Sequence, residues 1–314
     1  MVTHSRLSRV ALVLVACTLG PVAAPAQRRM PVIDMHMHVY SSDPRWDARV
    51  PNPITAAPLT AVTEDAHRRA VIEQMNRFNI VLAAISNGGA PESAVQQRWM
   101  AAAPGRFVPS IGFNAPDEVT AEWIRNEHRA GRIKIIGELA PPYAGYSAGD
   151  AVYEPFFALA EELDIPIAVH AGSAGGAATY NGFPKYRMEL NRPLRLEDML
   201  ARHPRARLQL MHAGWPFTDE TVALMRAHPQ VYADLGVISW TQSAAEFHRY
   251  LQRLVEAGFA DRIMFGSDQM VWPEAIGMAI AATDSAPFLT EQQKRNIFCG
   301  NAARFLRLPA ATCQ

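Results

Sequence analysis

The sequence predicts a single α/β domain in which eight parallel strands alternate with helices and close into a (β/α)8 barrel. Two observations predict it. From about residue 30, short apolar runs alternate with longer stretches whose apolar residues recur every three to four positions. The runs number eight, and residues 27–314 suit the usual size of that barrel. Strand and helix in strict alternation require crossover connections, which make the strands parallel.

The elements follow in order. The apolar runs occupy 32–38, 80–86, 107–112, 133–139, 165–170, 208–212, 231–235 and 263–268. Helical spacing falls at 63–79, 118–130, 152–163, 219–228 and 244–257. His203-Pro204 and His228-Pro229 end helices before the sixth and seventh strands, because a proline disfavours helical backbone in the residue before it. Thr218-Asp219 is the expected N-cap of the helix after strand six. Two connections are long, 39–59 and 171–193, and long loops in a compact domain are often functional.

Composition narrows the function. With 49% hydrophobic residues a core is assured, which excludes a disordered or fibrous chain. The 30 Lys+Arg balance 30 Asp+Glu, so there is no general pull on nucleic acid or an acidic membrane. No apolar run reaches the roughly 18 to 20 residues that span a bilayer. The expected partner is a small-molecule substrate, with a homo-oligomer left open.

The first 26 residues read as a secretory signal. Arg6 and Arg9 precede the apolar stretch 10–19, and Ala24-Pro25-Ala26 offers small residues for cleavage. Leu14-Val15-Ala16-Cys17 is an alternative, a lipobox that would place a lipid anchor on Cys17. Either route makes the protein periplasmic or secreted, with residues 27–314 as the barrel. Cys299 and Cys313 are then the remaining cysteines. They are expected as unpaired thiols, although an oxidising compartment permits a disulfide.

Polar residues close several strands. Strand one ends in Asp34-Met35-His36-Met37-His38, and residues two apart share a strand face. Strand four closes on Glu138, five on His170, six on His212 and eight on Asp268. In a barrel these ends converge on the catalytic face. Buried there without partners, such groups are costly, and a cation removes that cost for all of them.

This order of residues resembles the amidohydrolase superfamily, and within it the amidohydrolase-related group of TIM-barrel enzymes that also contains metal-dependent decarboxylases. The resemblance rests on Ile33-Asp34-Met35-His36-Met37-His38, Ala168-Val169-His170-Ala171-Gly172, Met211-His212-Ala213-Gly214, Phe265-Gly266-Ser267-Asp268 and Gly300-Asn301-Ala302-Ala303-Arg304, spanning about 31–308. It implies a divalent metal, most often zinc, held by His36, His38, His170 and Asp268. His212 would be a second-metal ligand or a polarising group. The chain departs from the best-known binuclear members at strand four, where they carry a carboxylated lysine and this chain has Glu138. Glu138 is the expected further ligand, with one ion or two left open. Lys134 shares its strand and parity but sits four residues earlier, too deep to replace it.

The implied chemistry is hydrolysis of a small ester, lactone or amide. A metal lowers the pKa of water from near 16 to about 7. Asp268 would shuttle the proton and His212 would stabilise the developing oxyanion. Decarboxylation of a small aromatic or unsaturated carboxylate would use the same residues, and a non-catalytic metal-binding relative is the minor alternative. Trp215, Trp240 and Trp272 follow strands six to eight and suit an apolar pocket wall. In the loops after strands four and five lie Tyr143, Tyr146, Tyr180, Lys185, Arg187 and Arg192, of which Arg192 and Tyr180 are the expected substrate contacts beside Trp215. Asp34 and Asp234 are expected to act as structural partners. His67, His128, His203, His228 and His248 fall in helical stretches or at their ends and are expected at the surface or as caps.

Overall fold

Eight strands pair in chain order, each parallel to the next: β1 (Val32–His38), β2 (Ile80–Ser86), β3 (Phe107–Phe113), β4 (Ile135–Leu139), β5 (Ile167–Val169), β6 (Leu208–Leu210), β7 (Val231–Asp234) and β8 (Ile263–Met264). The computed structural model describes residues 30–87 and 93–314. The signal-peptide reading of residues 1–26, with Cys17, lies outside the described residues. Two backbone bonds bring the sheet edges together: Met35 N–H donates to the Phe265 carbonyl at 2.9 Å, and Asp268 N–H to the His36 carbonyl at 2.7 Å. The result is a nearly closed barrel.

Helices α1 (Pro44–Asp47) and α2 (Glu64–Arg77) join β1 to β2, and α3 (Ser93–Ala102), α4 (Ala121–Arg129), α5 (Glu154–Leu163), α6 (Glu197–Arg202) and α7 (Thr218–Ala227) precede β3 to β7 in turn. The short α8 (Ile238–Thr241) and α9 (Ala244–Glu256) precede β8, and α10 (Ala275–Asp284), α11 (Glu291–Arg295) and α12 (Asn301–Phe305) follow it. Thr63, Thr120 and Ser243 cap α2, α4 and α9 by accepting from backbone N–H groups in the first turn. Thr218 does not serve as the expected N-cap. It lies inside α7, and its hydroxyl donates to the Pro216 carbonyl instead. No helix among the described residues is long and apolar enough to cross a membrane.

Strands four, five, six and eight are shorter than their apolar runs by two residues or more. β4 begins at Ile135, and Lys134 is exposed outside it. At the other three the ladder stops before the polar residue that ends the run. His212 and Asp268 have left-handed backbones, with φ of 56° and 48°, which no strand accommodates. Within β4, Gly137 has φ of 149°, and a Cβ there would come within 2.5 Å of the Ala168 carbonyl oxygen. Only glycine lets β4 and β5 approach this closely just before Glu138.

The opposite end of the barrel is filled by the C-terminal segment. Ala302, Ala303 and Phe305 join Ile33, Met35 and Met264 in one buried cluster. The Phe265 N–H donates to the Ile297 carbonyl at 2.8 Å, tying the turn before α12 to the end of β8. The chain then doubles back, and Cys299 and Cys313 form a disulfide with Cα atoms 5.8 Å apart. This corrects the expectation of free thiols. Their separation of 14 residues says nothing about the return of the chain, which packing against the barrel end decides. By the loop-closure argument, a bridge around about 15 residues contributes up to about 3 kcal/mol. Cys313→Ser is therefore expected to lower the unfolding free energy in denaturant titrations by about 2 kcal/mol; an unchanged midpoint would show that the clasp is idle.

His67 corrects another expectation. It is fully buried, not at the surface, and shares the inner face of α2 with Val71 and Met75 at four-residue intervals. Its ring packs among Tyr40, Trp46 and Trp99. Burial pushes its imidazole down from 6.5 to about 4. The unfolded chain takes up this proton near pH 6.5 and the folded chain only near pH 4, so stability is full above that window and falls as pH drops through it. The loss is about 3 kcal/mol, from the conversion of about 1.4 kcal/mol per pKa unit. In His67→Phe, thermal unfolding midpoints between pH 4 and 6.5 should depend less steeply on pH than in the parent. The remaining helical histidines behave as expected: His203 and His228 end α6 and α7, while His128 and His248 bond the Ile133 and Ala282 carbonyls.

Candidate metal centre

The strand ends bring together His36, His38, Glu138, His170, His212 and Asp268, all buried. Glu138 lies between the imidazoles: Oε1 is 2.6 Å from His170 Nδ1, and Oε2 is 3.3 Å from His38 Nε2 and 3.6 Å from His36 Nε2. Asp268 Oδ1 is 3.0 Å from His38 Nε2 and 3.8 Å from His36 Nε2. His212 Nε2 is 3.0 Å from His170 Nδ1 and 3.8 Å from Glu138 Oε1. Two triads, His36–His38–Asp268 and His36–Glu138–His212, have ligand atoms within 4.8 Å of one another.

The ring nitrogens turned away from the cluster have acceptors that orient them. His36 Nδ1 lies 3.2 Å from Asp234 Oδ1, His38 Nδ1 3.1 Å from Ser86 Oγ, and His212 Nδ1 3.0 Å from the Gly236 carbonyl. With Nδ1–H donating in each ring, Nε2 is the nitrogen that faces inward. Asp234 is itself fixed by the Gly236 N–H at 2.7 Å and by Gln209 Nε2 at 2.8 Å. A Cβ on Gly236 would meet His36 Nδ1 at 2.5 Å, so this position must be bare. Asp34 Oδ1 accepts from the N–H groups of His36 and Ser267, and Gln269 bonds both backbone groups of His38. Both sets of bonds tie β1 to the segment after β8.

Burial opposes charge throughout. At Glu138 it is outweighed by the contacts with His170, His212 and His36, which hold the carboxyl well below its ordinary value. At Asp268 burial is likewise outweighed, by His36 and His38, and the carboxylate stays ionised. His36 is held well above its ordinary value despite burial, because Asp268 and Asp234 flank it. His170 is pushed down by burial and then by His212. The residues fit a divalent cation on the donor set and on a second count: His36 Nε2 and Asp268 Oδ1 are buried with no hydrogen-bond partner. A buried polar atom is rarely left so, and a cation between them would satisfy both.

Above the cluster opens a cleft of about 830 Å³ whose floor includes His38, Glu138, His170, His212 and Asp268. Tyr40, Trp240 and Trp272 line it on the side of strands one, seven and eight, and Tyr143, Phe183 and Trp215 on the side of strands four to six. Arg45 also lines it, held by both carboxylate oxygens of Asp43 and lying over the rings of Tyr40 and Trp272. Two of the expected substrate contacts lie elsewhere. Tyr180 is 88% exposed and Arg192 is paired with Glu220 and Glu189, and neither is part of the cleft wall. Loop residues far from a strand end have no register that aims them inward.

Asp234 is the structural partner expected of it, holding His36, whereas sequence reasoning missed the roles of Ser86 and Gln209. Their signal was the same as that of the ligands, a polar residue on a buried strand. His212 gives its Nδ1–H to the Gly236 carbonyl, so Nε2 is the nitrogen it presents to the cluster.

The comparisons agree with this fold. A family model described as Amidohydrolase matches residues 33–308. No curated protein matches the chain in sequence. Among solved structures, a 5-carboxyvanillate decarboxylase from Sphingomonas paucimobilis is 16% identical, with a TM-score of 0.59 over 89% of this chain and 100% of that one. A probable 2-pyrone-4,6-dicarboxylic acid hydrolase from Acinetobacter baumannii, with citric acid bound, is 15% identical, with a TM-score of 0.61 over 88% and 99%. A dihydroxybenzoic acid decarboxylase from Polaromonas sp., with bound manganese and an inhibitor, is 17% identical, with a TM-score of 0.64 over 90% and 99%.

If Asp234 orients His36, then Asp234→Asn should leave the barrel folded but weaken divalent-metal affinity about 10- to 100-fold. Competition with a chromophoric chelator measures this, and an affinity equal to the parent's would refute the role.

Proposed function

The chain belongs to the amidohydrolase family, and we propose that it is a metal-dependent hydrolase of small esters, lactones or amides. The observation that carries this reading is the pair of unpartnered buried atoms, His36 Nε2 and Asp268 Oδ1, 3.8 Å apart, with Asp268 at the floor of an open cleft. His36, His38, Glu138, His170, His212 and Asp268 would hold the cation. Nitrogen-rich donors with two carboxylates suit zinc, and manganese is the bound metal in one solved neighbour. Both triads use the same His36 Nε2, an atom with one lone pair, which supports one ion per chain.

When bound, the cation supplies Lewis-acid polarisation of the substrate and acidification of a water. The protein's own groups do the rest. Asp268, ionised and at the floor, accepts the proton of the attacking water and delivers it to the leaving oxygen or nitrogen. Asp234, Ser86 and the Gly236 carbonyl keep the imidazoles from rotating while charge develops. The aromatic walls position a flat, apolar substrate and exclude bulk water.

A second reading is decarboxylation of a small aromatic or unsaturated carboxylate by the same residues. The solved neighbours named as carboxyvanillate and dihydroxybenzoic acid decarboxylases favour it. We also propose a periplasmic or secreted location, from the signal-like residues 1–26; the Cys299–Cys313 disulfide is in keeping with an oxidising compartment.

Metal-loaded protein assayed on esters, lactones, amides and aromatic carboxylates tests the reaction. Hydrolysis is expected, with Asp268→Asn lowering kcat about 10²- to 10⁴-fold. Release of carbon dioxide with no hydrolysis would establish the second reading, and no turnover at all would leave a metal-binding relative.

A further inference from the structure

The Nδ1–H of His212 is spent on the Gly236 carbonyl and its Nε2 is given to the cation in the proposed function, so another group must stabilise negative charge on the substrate oxygen. We infer that the Tyr143 hydroxyl is that donor, hydrogen-bonding the oxygen of the carbon under attack; the inference rests on the hydrolytic reading.

Three observations place it there. Tyr143 follows β4 directly, in the turn Pro141–Ala144, five residues beyond Glu138 on the same strand end. Its ring lines the cleft and is held against His170 at 5.3 Å between centroids, Phe183 at 4.5 Å and Tyr186 at 5.6 Å. Tyr143 is half-buried, and its hydroxyl has no acceptor among the described residues, in contrast to the fully buried tyrosines. Tyr153 donates to the Asn114 carbonyl, Tyr186 to the Gly172 carbonyl and Tyr250 to the Ala213 carbonyl. Those hydroxyls hold loops together. The Tyr143 hydroxyl is left for something that enters the cleft.

A phenol ordinarily ionises near about pH 10, so at neutral pH it acts as a donor. It keeps its proton throughout and gives a hydrogen bond that strengthens as the oxygen gains charge. Packing on three rings fixes the donor before substrate arrives, which is what such stabilisation requires. The one arginine lining the cleft, Arg45, is already engaged by Asp43.

Tyr143→Phe keeps the ring and removes the oxygen. On a substrate hydrolysed by the parent, kcat should fall about 10²- to 10³-fold with KM little changed. Metal content and melting temperature should equal the parent's, and Tyr146→Phe, at an exposed ring outside the cleft wall, should have the parent's kcat. A second readout is independent of turnover: acetohydroxamate binding to the metal-loaded protein, followed by the fluorescence of the cleft tryptophans. Here Tyr143→Phe should raise Kd about tenfold. Weaker hydroxamate binding in Tyr143→Phe, in a protein that hydrolyses nothing, would keep the donor and reject the hydrolytic reading. Hydrolysis with the parent's kcat in Tyr143→Phe would reject the donor and keep that reading. Equal hydroxamate affinities, or no binding by the parent, would also overturn the inference.

Discussion

Everything at the mouth of this barrel depends on one constraint: two carboxylates and four imidazoles are buried within a few ångströms of one another. Removing such groups from water is expensive, and only mutual compensation makes it tolerable. Glu138 and Asp268 keep their negative charge because imidazoles surround them, and His36 is drawn toward its charged form by Asp268 and Asp234. A divalent cation is a better answer to the same problem, since it concentrates the compensating charge at the point where the unpartnered atoms meet.

The remainder of the fold serves that arrangement. Left-handed backbones at His212 and Asp268, each costing on the order of 1–3 kcal/mol, turn the chain out of the ladder where the ligands must face inward. Gly137 allows the close approach of β4 to β5, and Gly236 leaves room for the His36 ring. At the far end, Phe305 and its neighbours fill the barrel, and the disulfide holds the returning tail against them. Rigidity below the cluster is thus matched to precise geometry within it.

The cleft adds selectivity of a different kind. Aromatic rings from loops after several strands stand among its lining residues, while its one arginine is neutralised by Asp43. In the proposed function, rings in the wall and the Tyr143 hydroxyl orient the substrate, and general electrostatic attraction contributes little. That is consistent with a chain whose basic and acidic residues balance.

The strand count, the parallel order and the polar residues gathered at the barrel mouth were legible in the sequence, because short apolar runs and polar strand ends are local signals. The alternation placed β1 and β2 to the residue, and His36 and His38 share a face by strand geometry alone. Other features were beyond it for definite reasons. Tyr180 and Arg192 looked like substrate contacts by type, but a loop has no period that aims a side chain, and both point elsewhere. The burial of His67 was written in its spacing to Val71 and Met75, yet its polarity masked it. Which nitrogen each ligand presents, the pairing of Cys299 with Cys313 and the unspent hydroxyl of Tyr143 all depend on partners far away in the chain. Sequence by itself determined which residues reach the mouth of the barrel. Only the tertiary structure decided what each does there, because hydrogen-bond partners and desolvation are set by neighbours in space.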